Sequence, residues 1–300
     1  MTAITRRIGS LSVSALGYGA MPLSYGRQNP PTHDEAIATI HAALDAGITL
    51  IDTADMYAPS WDTMGHNEKL VAEGVRTWSG DASRVVIASK GGIVRGPGKD
   101  GEEESKGRDG SLAYLRSALE KTLTNLGQDS VDLYYWHRPD RSIRYAEGVE
   151  ALATLQQEGL IREVGISNAN VEEIDVALEV LGEGRLAAVQ NQFSPTFFHT
   201  SLGELRHSRE IGAAFVPWGP LGGAGGGAAA VGERFPQIAR AAAAHGVSPQ
   251  RVVLAWELSL GPHVVPIPGA ARPASIIDSA QAPSLQLTTA EVEDLNSILG

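Results

Sequence analysis

Eight short β-type runs alternating with helical stretches predict an α/β fold closed as a (β/α)8 TIM barrel in this chain of 300 residues. Two further observations point the same way. The runs are rich in apolar and β-branched residues, as strands buried on both faces must be. Polar residues also stand at their C-terminal ends, namely Asp52, Lys90, His137, Asn168 and Gln190. In a barrel those ends converge on one face. A doubly wound open sheet is the alternative, because alternation alone does not prove closure. No linker or composition shift marks a boundary, so residues 1–300 read as a single domain with an N-terminal β-hairpin and extra C-terminal helices.

The elements follow in order. Residues 4–8 and 11–13, divided by Gly9-Ser10, predict the hairpin. LGYGAM, at 16–21, gives a first short strand that runs into a glycine-containing loop. Over 32–47 the signals are those of a helix: Thr32 and Glu35 form a capping box, Ile37, Ile40 and Leu44 share a face, and Gly47 closes it. The stretch 48–57, ITLIDTADMY, opens as a strand, puts Asp52 at its end and Tyr57 in the following loop. A polar loop leads to a helix over 67–78. Strands are then expected at 85–89, 131–136, 162–166, 186–190 and 213–217, and helices at 111–126, 145–157, 171–181 and 202–211. The helix at 111–126 carries Leu112, Leu115, Leu119, Leu123 and Leu126 on one face, and Gly127 stops it. Asn170 and Glu173 are spaced to cap the helix at 171–181. Beyond a glycine-rich gap come helices at 233–245 and 249–260, a last strand at 263–267, and closing helices at 273–279 and 289–299.

With 43% hydrophobic and 20% charged residues, the chain supports a large core. A net charge of −11 argues against nucleic acid or an anionic membrane as the main partner. The absence of cysteine excludes disulfides and thiolate metal sites, and no metal is expected. MTAITRRIGS lacks an apolar leader core, and no window approaches the roughly 20 apolar residues of a membrane span, so a cytoplasmic protein is expected. The oligomeric state is left open.

A carboxylate at the mouth of a sheet is costly unless something pairs with it. For Asp52 the sequence offers partners from two later strand ends, Lys90 in VVIASKGG and His137 in LYYWHRPD. An unperturbed tyrosine titrates near pH 10 and is a weak proton donor at neutral pH. A nearby ammonium favours the phenolate and makes the phenol a better acid. Asp52, Tyr57, Lys90 and His137 are therefore the parts of a tyrosine-based acid. Taken singly each has a plainer reading: Asp52 caps a turn, Tyr57 packs a loop, Lys90 marks a strand exit, and His137 lies on the surface.

DTADMY at 52–57, ASK at 88–90, WHRPD at 136–140 and GISN at 165–168, in this order, resemble the aldo-keto reductase superfamily, in its bacterial members, from about residue 16 to the C-terminus. The resemblance implies that Tyr57 protonates the substrate oxygen, that Lys90 supplies the charge, that Asp52 holds Lys90, and that His137 hydrogen-bonds the substrate carbonyl. It implies a nicotinamide cofactor as the hydride source. Ser167, Asn168 and Gln190 match the contacts to the nicotinamide amide, and Trp218 in VPWGPLGG matches the aromatic on which the ring stacks. Gly219, Leu221 and Gly223 match a loop along the pyrophosphate, and Gly19, Ala20 and Met21 join Asp52 in the cofactor set. Gly269 in the IPG segment, with Arg272, Ser275 and Ser279, matches the part that holds the adenosine end.

Arginine prefers phosphate by geometry as well as charge, so Arg272 implies NADPH, with NADH less favoured. Here the chain departs from many relatives, which carry a basic residue, an acid and an asparagine where this one has Ser275, Asp278 and Ser279. With one cation fewer the preference is weaker. GPGKDG at 96–101 fits G-x-G-x-x-G on paper, but a polar EEESKGRDG follows it instead of an apolar helix start, so it is no dinucleotide fingerprint. Residues 95–110 are expected to form a polar loop over the barrel mouth. The insertion APSWDTMGHN at 58–67 offers Trp61 and Met64 as pocket residues, or else an exposed loop.

The function expected is reversible, NADPH-dependent reduction of a small-molecule aldehyde or ketone, with no nucleic-acid or membrane partner. The alternative is an NADPH-binding regulatory subunit resembling the potassium-channel β subunits. A third reading, a barrel lyase or isomerase, leaves GISN and VPWGPLGG unexplained. The presence of all four polar positions favours the enzyme.

Overall fold

Seven parallel strands line up in a single curled sheet in the computed structural model, which describes residues 4–98, 105–223 and 227–300. The chain begins with an antiparallel hairpin of β1 (Thr5–Ile8) and β2 (Leu11–Ser14), followed by β3 (Tyr18–Gly19). Helix α1 (His33–Asp45) carries the expected Thr32–Glu35 capping box. The chain continues through β4 (Leu50–Asp52), α2 (His66–Thr77) and β5 (Val86–Gly91). A second hairpin of β6 (Ile93–Gly96) and β7 (Ser105–Arg108) precedes α3 (Leu112–Leu126). Next come β8 (Val131–Trp136), α4 (Tyr145–Gln157), β9 (Ile161–Ser167), α5 (Val171–Leu181), β10 (Leu186–Gln190) and α6 (Leu202–Glu210). After β11 (Ala214–Phe215) the rest of the named elements are helices: α7 (Gly227–Arg234), α8 (Pro236–His245), α9 (Pro249–Ser259), α10 (Pro273–Ala280) and α11 (Thr289–Asn296). The sheet order is β3-β4-β5-β8-β9-β10-β11.

Closure falls to residues 263–269, which include the last strand expected at 263–267, and the structure makes this stretch irregular. The amides of Val265 and Ile267 donate to Phe215 O at 2.9 Å and Pro217 O at 3.1 Å, on the β11 side. On the β3 side, Pro266 O and Pro268 O accept from Gly17 N at 2.9 Å and Gly19 N at 3.0 Å. Proline has no N–H to return, so this edge of the ladder is made by carbonyls alone. Single parallel bridges, Phe215 to Val264, Trp218 to Ile267 and Gly19 to Gly269, stand where a regular strand was expected, and the ring closes as a (β/α)8 barrel.

The barrel interior is packed with Leu50, Val86, Leu133, Tyr135, Val216 and Val265, among others. Ile8, Leu11 and Val13 of the first hairpin join this cluster. The hairpin is fastened at the N-terminal ends of the strands, where Ser14 N donates to Thr49 Oγ1 at 2.8 Å and Arg6 reaches Gly261 O at 2.5 Å. That plug leaves the C-terminal strand ends as the open face. Outside the barrel, buried Leu115 and Leu119 seat α3 against the sheet, each burial contributing about 1.5–3 kcal/mol. Ser111 caps α3, and Gly127 ends it in the left-handed region at φ +66.

Two expectations change. Part of the polar stretch 95–110 belongs to the β6–β7 hairpin, its register running from Ile93 opposite Arg108 to Gly96 opposite Ser105; the last part of GPGKDG lies outside the described residues. Its charged residues disguise a strand pair because one side of the hairpin faces water while Arg95 is buried on the other. The helix expected over 233–245 is two helices, α7 and α8, because Pro236 sits in the first turn of the second and cannot continue the first. Among the described residues no helix is long and apolar enough to cross a membrane.

Candidate active site

Parallel pairing brings the polar strand ends together. Asp52, last in β4, stands opposite Gly19 of β3 and Ala88 of β5, and Lys90 lies two residues further along β5. Lys90 is wholly buried, and its Nζ donates to Asp52 Oδ1 at 2.5 Å and Thr53 O at 2.7 Å. The other Asp52 oxygen accepts from Gln190 Nε2 at 2.8 Å. Burial pushes the Asp52 carboxyl upward, and Lys90 and Gln190 offset part of that. Burial also works against the Lys90 charge, but Asp52 and Tyr57 outweigh it and the net shift is upward. An ammonium held this way stays charged across the neutral range.

Tyr57 lies beside the pair, its ring centroid 5.1 Å from Lys90 Nζ. The His137 ring meets it edge-on at 5.6 Å. Burial raises the Tyr57 pKa above its ordinary value while Lys90 pulls it down; burial prevails. The lysine therefore makes the phenol more acidic than its buried surroundings alone would allow, but not more acidic than a tyrosine in water. His137 is driven well below its usual pKa, first by burial and then by Lys90 and Arg138, so its imidazole is neutral. Its Nδ1 is buried without a hydrogen-bond partner.

The residues matched to a cofactor gather on the adjoining wall. Asn168 is the one non-glycine with positive φ among the described residues, at +59. That turn lets its Nδ2 donate to His137 O at 3.0 Å and Ser167 Oγ at 2.9 Å, while its Oδ1 accepts from Trp218 Nε1 at 3.3 Å. Ser167 Oγ donates to Gln190 O at 2.8 Å. Ser167, Asn168, Gln190 and Trp218 thus form one network running back to Asp52. Trp218 is half-buried and shares a pocket with Asn168 and Gln192. Gly219, Gly222 and Gly223 follow it at φ +62, +98 and +74, conformations that favour glycine and leave the loop backbone uncovered by side chains. Leu221 among them packs against the core.

Ala20 N donates to Asp52 O at 2.8 Å, which seats Gly19, Ala20 and Met21 at the same strand ends. Gly269 bridges to Gly19 across the closing seam. Arg272 is exposed just before α10, with Nη2 at 3.5 Å from Ser275 Oγ. Ser279, also on α10, is buried. Trp61 is 42% exposed, and Met64 packs against the cluster of Ala54, Met56, Tyr57 and Ile93.

Several residues at the site escaped sequence reasoning. Arg95, from the hairpin, donates to Met56 O at 2.6 Å and Ala58 O at 2.9 Å, gripping the loop on both sides of Tyr57. Asn67 ties the two mouth loops together, donating to Ala20 O at 2.9 Å and accepting from Thr53 Oγ1 at 2.7 Å. Tyr25 stacks on Tyr57 with centroids 6.3 Å apart. Asp55, buried with neither oxygen hydrogen-bonded, is pushed well up by burial and by Glu68. Only Asp55 had a visible signal, a second acid inside DTADMY.

Comparison with known proteins supplies the family. The family model described as Aldo/keto reductase family matches residues 15–299. The 6-dehydroglucose reductase of Novosphingobium aromaticivorans is 32% identical over 285 residues, covering 92% of this chain and 89% of that protein. The glycerol dehydrogenase of Gluconobacter oxydans superposes with a TM-score of 0.81 at 25% identity, over 100% of this chain and 96% of that one. An aldo/keto reductase of Klebsiella pneumoniae, solved in complex with NADP and acetate, gives 0.79 at 28% identity, over 98% and 94% of the two chains. With the family match spanning nearly the whole chain and the barrel beneath it, the protein belongs to the aldo/keto reductase family and is an NAD(P)H-dependent oxidoreductase.

Proposed function

We propose that the protein reduces an aldehyde or ketone to the alcohol with NADPH, reversibly, using Tyr57 as the proton donor. The observation that carries this is the buried Lys90–Asp52 pair, at 2.5 Å, set beside the Tyr57 ring with His137 edge-on to it. Lys90 favours the phenolate, so it eases proton transfer from the Tyr57 hydroxyl to a carbonyl oxygen and back again. Asp52 keeps that ammonium charged and in place. Neutral His137 orients the carbonyl by a hydrogen bond from its ring.

The cofactor walls fit a nicotinamide dinucleotide: a half-buried indole beside Asn168, a loop of left-handed glycines after it, and an exposed arginine near Ser275. When bound, that cofactor supplies the hydride. Ser167, Asn168 and Gln190 would hold its amide, Trp218 its ring, Gly219, Leu221 and Gly223 its pyrophosphate, and Arg272 with Ser275 a ribose phosphate. Gly19, Ala20, Met21 and Gly269 would bound the cleft with backbone. The assembled four-residue site favours an enzyme over a regulatory subunit, which needs only the cofactor walls.

The test is NADPH oxidation by Tyr57→Phe on a panel of small polar aldehydes and ketones, starting from the hydroxylated compounds that the names of the two relatives suggest. Losing a general acid costs roughly 10²–10⁴-fold in rate. The variant should lose activity by that order with NADPH affinity nearly unchanged. Activity within a few-fold of wild type would remove Tyr57 from the mechanism.

A further inference from the structure

We propose that the pocket is built for a carbonyl substrate that carries a negative charge, a carboxylate or phosphate group, and that Arg138 selects it. This rests on the reductase reading and specifies its substrate class. Arg138 directly follows His137 in WHRPD, is half-buried, and holds its guanidinium carbon 5.9 Å from the Trp218 ring. It lines the same pocket as Asn168, Gln192, Phe197 and Trp218. It is the sequence neighbour of His137, its charge bears on both Tyr57 and His137, and Arg272 does not line this pocket.

No carboxylate pairs with Arg138 among the described residues. Three of the acids around it are already engaged, and the fourth, Glu204, lines the same pocket with no ion pair to Arg138. Asp140 accepts from Gly110 N at 3.2 Å, Ser142 N at 2.9 Å and Ser142 Oγ at 2.7 Å. Glu173 holds Arg141 and accepts from Asn170 N at 3.0 Å. Asp109 accepts from Ser111 N at 2.9 Å. A second cation adds to the imbalance: Arg108 donates to Pro139 O at 3.3 Å and lies close enough to weaken Arg138's hold on its proton.

A half-buried guanidinium with a like charge nearby and no counter-ion is electrostatically unsatisfied. In a chain whose net charge is −11 such a spot stands against the overall field. Arginine's planar fork matches carboxylate and phosphate oxygens, and pairing there would offset its desolvation. Arg138 adjoins His137, the proposed carbonyl ligand, so the charged group of the substrate sits a few bonds from its carbonyl. The rival role for the same cation is contact with a cofactor phosphate.

The experiment measures kcat/KM with NADPH on the whole enzyme for two matched pairs: 4-carboxybenzaldehyde against benzaldehyde, and glyceraldehyde 3-phosphate against glyceraldehyde. The wild type should favour the charged member of at least one pair by about ten-fold or more, the pair favoured naming carboxylate or phosphate. Arg138→Met should erase that preference, roughly 10–100-fold and mainly through KM. It should leave the neutral substrates within a few-fold and NADPH affinity unchanged, while Arg138→Lys restores part of the preference. Equal wild-type rates within both pairs would overturn the proposal. So would an Arg138→Met variant that binds NADPH more weakly and slows both members alike, which assigns the arginine to the cofactor. If no aldehyde is reduced, the reductase reading fails on its own, and calorimetry with benzoate and benzamide still reads the site. Benzoate binding lost in Arg138→Met supports an anion site, and equal binding of the two ligands overturns it.

Discussion

Lys90 is fully buried, yet its two acidic neighbours keep its proton, and Tyr57 is the group that gains. Burial already sets the phenol above its ordinary pKa. Replacing Lys90 with methionine removes the largest influence in the other direction, leaving Arg138, so the Tyr57 pKa rises further. Alcohol oxidation requires the phenolate, whose fraction grows as pH rises toward that pKa. The alkaline limb of kcat/KM for oxidation should therefore move to higher pH in Lys90→Met, and oxidation should slow more than reduction at neutral pH. Breaking a buried pair costs about 3–5 kcal/mol, so thermal unfolding is followed alongside. An unchanged pH profile in a folded Lys90→Met would mean that the lysine only packs. At this scale Asp52, Lys90 and His137 were legible because each ends an apolar run, where the chain has little other reason to place a charge. Arg95 and Asn67 were not legible. Arg95 holds the carbonyls of Met56 and Ala58, and Asn67 holds Ala20 O and Thr53 Oγ1, all in other loops of the chain, and nothing in residue type announces such a contact.

Elements with local signals could be read directly. The capping pairs Thr32–Glu35 and Asn170–Glu173 both form, because a cap needs only residues three apart. Elements defined by pairing were harder: the β6–β7 hairpin looked like a loop, and the last strand expected at 263–267 forms only single bridges, with Pro266 unable to donate. Helix α10 is where cofactor choice is decided in the proposed function. Asp278 on it is occupied, accepting from Ser248 Oγ at 2.5 Å and Arg251 Nη2 at 2.5 Å, which leaves exposed Arg272 with half-buried Ser275 beside it. NADPH should bind more tightly than NADH, and Arg272→Ala should remove most of the difference. A charge-assisted bond contributes about 1.5–3 kcal/mol, and because Arg272 is exposed the gap should narrow as salt is raised. Fluorescence titration with both cofactors reads this. Equal affinities in the unmodified protein would show that the 2′-phosphate goes unrecognised.

The molecule as a whole depends on one seam. Barrel closure between β3 and residues 263–269 rests on the carbonyls of Pro266 and Pro268, and it brings Gly19 within a bridge of Gly269. A Cβ on Gly19 would lie 2.9 Å from Ile267 O, a backbone atom that can move only if the seam opens. Gly19 also stands opposite Asp52 in the sheet, so any widening reaches the carboxylate that holds Lys90. Overpacking of this kind typically costs 1–3 kcal/mol. Gly19→Ala should therefore lower the melting temperature by about 2–4 °C for each kcal/mol lost, and reduce carbonyl reduction along with it. Gly107→Ala is the control, because a Cβ there meets nothing closer than Val94 Cβ at 3.8 Å, an ordinary contact on the β6–β7 hairpin. Its melting temperature should stay near that of the wild type. If the two variants melt alike, the seam tolerates the extra methyl, and the tightness of closure is not what fixes Asp52 beside Lys90.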